Sequence, residues 1–73
     1  MMDRIVRDWT RGGRRYRICL DPPSDYWIRA GDKRHVLTFE NLDTGQNTPR
    51  LVSPNFDLPT VSDDALAVML GVR

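Results

Sequence analysis

Asp3-Arg4-Ile5-Val6-Arg7-Asp8-Trp9-Thr10 and Arg14-Arg15-Tyr16-Arg17-Ile18-Cys19-Leu20, joined through Arg11-Gly12-Gly13, form the stretch that decides the fold. Each half mixes β-branched, aromatic and charged residues, as half-buried strands do. Glycine tolerates positive φ, so Gly12-Gly13 predicts a two-residue hairpin turn. In that register Arg11 faces Arg14 and Trp9 faces Tyr16. Strand side chains alternate between faces. One face then carries Ile5, Arg7, Trp9, Tyr16, Ile18 and Leu20 and packs on the core. The other carries Arg4, Val6, Asp8, Arg15, Arg17 and Cys19, with Asp8 opposite Arg17 and Arg4 near Asp21.

Downstream, Pro22-Pro23 breaks the ladder, since neither residue donates to a sheet. Residues 26–30, rich in strand formers, are expected as a third strand and residues 34–41 as a fourth. Asp43-Thr44-Gly45 turns the chain. Residues 47–53 are expected as a fifth strand, held at an edge by Pro49. The C-terminal segment reads as a helix. Ser62 caps it, Asp63 and Asp64 complement its first turn, and Val61 can staple to Leu66. Leu66, Met69 and Leu70 form its apolar stripe, and Gly71 stops it. About two turns of helix are not stable alone, so this one must dock. The expected fold is α+β: a small antiparallel meander of four to five strands with one short C-terminal helix, in a single domain spanning residues 1–73.

Charge is distributed unevenly. Eleven basic residues face ten acidic ones, for a net charge of +1. Residues 1–36 hold nine Lys+Arg against five Asp, whereas residues 37–73 hold two Arg against five Asp+Glu. Arg11, Arg14 and Arg15 crowd one turn with no counter-charge visible in the local sequence, and Arg7 lies nearby. Guanidinium groups grip phosphates and carboxylates in planar, bidentate geometry. The expected function is therefore a non-enzymatic binding module whose arginine hairpin engages a negatively charged partner, nucleic acid first. Trp9 or Tyr16 would stack on a base, or else belong to the core with Ile5, Ile18 and Leu20. Arg29, Lys33 and Arg34 make a second basic cluster. The two clusters merge only if their turns share one end of the sheet.

The alternative partner is an acidic surface on a protein that handles nucleic acid, with this chain as an interaction module or inhibitor. In size it resembles small phage and bacterial accessory proteins. A homodimer is also expected to be possible, through an edge near residues 14–20 or 26–30.

Two short segments carry resemblances to known motifs. Asp43-Thr44-Gly45 resembles the active-site tripeptide of retroviral-type aspartic proteases, and Leu70-Gly71 their hydrophobic-Gly element. Here the tripeptide follows Glu40-Asn41-Leu42, not an apolar strand, and Gly71 comes too soon for the intervening strands. The segment from Leu66 to Val72 looks like the first helix and turn of a helix-turn-helix, but no recognition helix follows. One His and one Cys cannot build a zinc site in a monomer, so no cofactor or metal is expected. Cys19 reads as a small packed residue and His35 as structural. Charges occupy the N-terminal stretch where a signal peptide has its apolar core, and no run approaches the roughly 20 apolar residues of a membrane span. A cytoplasmic protein with no membrane partner is expected.

Overall fold

The computed structural model describes residues 4–71. Its elements are β1 (Ile5–Arg11), β2 (Arg14–Asp21), α1 (Asp25–Arg29), β3 (His35–Asn41), β4 (Asn47–Val52) and α2 (Asp63–Leu70). The four strands form one antiparallel sheet in the order β1-β2-β3-β4. This is the expected meander with its C-terminal helix.

The first hairpin has the predicted register, with Trp9 opposite Tyr16 and Arg11 opposite Arg14. Gly12 and Gly13 have φ of 59° and 76°. Both central residues of the turn are thus left-handed, the twist that suits two right-twisted strands. Across the hairpin Arg17 Nε meets Asp8 Oδ1 at 3.3 Å, and Arg4 Nε meets Asp21 Oδ1 at 2.6 Å.

Trp9, Tyr16, Ile18, Leu20, Leu37, Phe39 and Val52 project from one face of the sheet into the core. Leu58, from the segment between β4 and α2, and Leu66 and Ala67 of α2 cover them. Ser62 Oγ accepts from the Ala65 backbone N–H at 3.2 Å, and Gly71 ends α2 with φ of 81°. Val61 packs half-buried against the same core as Leu66, as a staple requires. His35 is buried at the start of β3.

Residues 26–30 are not a strand. Asp25–Arg29 is a helix of five residues, in which Trp27 and Ile28 both donate backbone N–H groups to Ser24 O at 3.1 Å. The reason is topological. β3 already occupies the edge of β2, pairing from Tyr16–Asn41 to Asp21–Val36, so no strand fits between them. Ser24 at the N-cap, Asp25 in the first turn and Gly31 at φ 89° favour a short helix instead. Four strands result, not five.

The opposite face of the sheet is different. Val6, Cys19, Thr38 and Pro49 align in one cross-strand row, and Val36 and Leu51 pair in the next. None of these six residues is buried. Cys19 does oppose Val6, but on this open face and outside the core. The free edges belong to β1 and β4, so neither residues 14–20, internal to the sheet, nor residues 26–30 offer a strand edge for a dimer.

Candidate interaction site

The two basic turns lie at opposite ends of the sheet. The β1–β2 tip sits beside the β3–β4 turn, where the Leu42 backbone N–H donates to Arg15 O at 2.9 Å. The connection carrying α1, Arg29, Lys33 and Arg34 leaves β2 at the other end. Seven residues of strand, about 20 Å, separate them. The clusters therefore do not form one patch.

At the hairpin tip most of the arginines already hold carboxylates of their own chain. Arg11 Nη1 meets Asp64 Oδ1 at 3.1 Å, and Arg15 Nη2 meets Asp43 Oδ1 at 2.8 Å. The hydrogen bond from Arg15 lowers the pKa of Asp43 and raises that of Arg15. Asp43-Thr44-Gly45 is thus a turn that answers the tip arginine. Arg7 is tied down by Leu58 O, Val61 O and Asp63 Oδ1 at 3.0, 2.8 and 3.1 Å. The side chain of Arg14, alone of these four, makes no hydrogen bond or ion pair among the described residues. It lines a recess of about 190 Å³ with Asn41, Gln46 and Thr48.

Trp9 belongs to the core. Its ring lies 5.3 Å from Tyr16 and 6.3 Å edge-on from Phe39, and only 5% of the residue is exposed. It has no face left for a base. Its indole N–H is buried without a hydrogen-bond partner among the described residues.

At the other end the surface is apolar. Tyr26, Trp27 and Ile28 are 72%, 53% and 46% exposed, and α1 buries none of its residues. The Tyr26 and Trp27 rings meet edge to face at 5.2 Å. Beside them opens a groove of about 510 Å³. Pro22, Pro23 and Trp27 line one part of it, and Val36, Pro49 and Leu51 of the open sheet face line another. Ser24, Asp32 and Arg34 complete it. Arg34 is held by Asp32 in a fork, Nε to Oδ1 at 3.0 Å and Nη2 to Oδ2 at 2.8 Å, and the Arg34 backbone N–H adds a third bond. Arg29 and Lys33 are exposed, and no ion pair involves them among the described residues.

The groove residues other than Arg34 were not expected from sequence. Only Tyr26-Trp27-Ile28, bounded by Pro-Pro and Gly, pointed toward them. Those three read as part of a third strand because aromatic and β-branched residues favour strands.

The fork pulls the Asp32 pKa down to about 2 from its ordinary 3.8, chiefly through the Arg34 side-chain hydrogen bond. A depressed carboxylate stabilises the fold above its unfolded pKa. Here that contribution is complete above about pH 4 and is lost as pH falls through about 2. Titration of the Asp32 carboxyl carbon by NMR is expected to give that low midpoint, and Arg34→Ala to raise it only part of the way towards 3.8, because the backbone N–H of residue 34 still bonds Asp32 Oδ1. A wild-type midpoint already at the ordinary value means that the fork does not form in solution.

Among the described residues no three His, Cys, Asp or Glu side chains gather to hold a metal ion. No helix there is long and apolar enough to cross a membrane. Comparison with protein-family models, curated proteins and solved structures returns no match to this chain.

Proposed function

We propose that this chain is a non-enzymatic protein-interaction module whose contact surface is α1 with the adjoining groove. The observation that carries this reading is the exposure of Tyr26, Trp27 and Ile28 side by side on a helix that contributes nothing to the core. Exposed apolar side chains gathered in one patch mark interaction sites, and Trp and Tyr are the residues on which interface energy concentrates. The groove adds a concave, apolar surface into which a partner side chain fits.

The nucleic-acid reading has less support. Arg7, Arg11, Arg15 and Arg34 each already bond a carboxylate of the same chain, and the net charge is only +1. Trp9 offers no stacking surface. We propose a cytoplasmic location, which the single, free cysteine suits, since such a thiol persists in a reducing compartment.

The test is capture of a partner from native lysate by the tagged full chain, with nuclease added. Trp27→Ser is expected to weaken capture by about 30-fold, an interface loss of about 2 kcal/mol, while its circular dichroism stays that of the wild type. Arg14→Ala is expected to capture normally. If nuclease abolishes capture, or if Trp27→Ser captures as well as the wild type, this assignment fails.

A further inference from the structure

Resting on that reading, we propose that the groove receives an acidic peptide segment anchored by one large apolar side chain. The walls account for the anchor. Pro22, Pro23, Trp27, Val36, Pro49 and Leu51 present an apolar surface, and about 510 Å³ holds a large side chain together with neighbouring backbone.

The charges of the connection from Pro22 to Val36, which forms one wall of the groove, account for the acidic flank. Asp32 is spent: Arg34 and its own backbone N–H bond both of its oxygens. Of the remaining charges between Pro22 and Val36, Arg29 and Lys33 are cations and Asp25 is the one carboxylate. Among the described residues none of the three has an ionic partner. The surplus is one positive charge, carried next to the groove and not in its lining, and a partner bearing a carboxylate beside its anchor complements it.

The sheet edge limits how the segment binds. Addition of a strand to β4 would need a row of free N–H and C=O groups. Pro49 has no N–H, and its carbonyl accepts from Arg50 Nη1 at 3.0 Å. The segment is therefore held by its side chains, across the groove and not along the edge.

The experiment selects binders from a random twelve-residue peptide library on the immobilised full chain. Enriched peptides are then synthesised, and their affinities measured for wild type, Trp27→Ser and the double variant Arg29→Glu/Lys33→Glu. The expected peptides carry Phe, Trp, Leu or Met flanked by Asp or Glu. Their binding shifts the emission of exposed Trp27 to the blue. The charge reversals weaken it about tenfold or more at low salt, with less effect at high salt. Enrichment of peptides with no acidic bias would overturn the proposal while leaving the interaction site in place. Peptides that still bind Trp27→Ser would overturn both. No enrichment, accompanied by a concentration-dependent dimer that buries Trp27, would assign the groove to a second copy of this chain. No enrichment with a monomer would also reject the acidic segment.

Discussion

Trp9→Ala is expected to remove about 3–5 kcal/mol of folding stability. A chain of this length has about 4–11 kcal/mol in all, so the variant sits at or near the point of unfolding. The position of the ring sets this cost. Trp9 lies on the edge strand β1, but its ring reaches inward between Tyr16 across the hairpin and Phe39 on β3. Its removal leaves a cavity flanked by two aromatics on different strands, which backbone movement in a sheet closes poorly. Trp9→Phe should cost less, below about 2 kcal/mol, because it also deletes a buried N–H that has no partner. Urea unfolding monitored by far-UV circular dichroism measures both. A loss below 1 kcal/mol in Trp9→Ala would mean that the indole is not in the core, and would reopen its role as a stacking surface.

Arg7→Ala is expected to cost about 2–4 kcal/mol, an unusual loss for an arginine on a strand. Its guanidinium takes the carbonyls of Leu58 and Val61 and the carboxylate of Asp63. Those groups belong to the covering segment, which has no strand partner of its own. Leu58, fully buried in that segment, depends on the same anchorage. Without the guanidinium, two carbonyls in a partly buried setting lose a charged donor. Arg7→Lys should recover only part of the loss, since a single ammonium lacks the fork that spans three acceptors. The effect should persist in 1 M salt, because most of it is hydrogen bonding to carbonyls and not a screened ion pair. Equal urea midpoints for wild type and Arg7→Ala would show that the covering segment is held by its apolar contacts alone.

Much of the fold was legible because its determinants are local. Gly12-Gly13 set the hairpin, alternation set the faces, and Ser62 with Gly71 bounded α2. The pairs Asp8–Arg17 and Arg4–Asp21 followed from the same register arithmetic. What could not be read were the partners supplied from far along the chain. Asp43 for Arg15, Asp63 for Arg7 and Asp64 for Arg11 meet their arginines only after β3, β4 and α2 are in place. An arginine turn that looks unopposed in sequence is therefore mostly neutralised in the fold. The site was missed for a related reason. Tyr-Trp-Ile has the composition of a buried strand, and only the prior claim of β3 on the edge of β2 diverts it to the surface. The Ser24-Asp25 start and the Gly31 stop were the available local signals, and strand propensity outweighed them.

The sheet and its cover are ordered along the chain, with consequences for synthesis. Every strand pairs with its neighbour in sequence, so the meander can assemble progressively as residues 5–52 leave the ribosome. Residues 53–71, which shield Ile18, Leu37 and Phe39, follow about 1–4 s later at ordinary elongation rates. During that interval the nascent sheet presents its apolar face to solvent, a surface suited to holding chaperones. The guanidinium of Arg7, already in place on β1, then has Leu58 O, Val61 O and Asp63 Oδ1 to hold. An arginine on the first strand thus acts as the catch for the segment that covers the finished sheet.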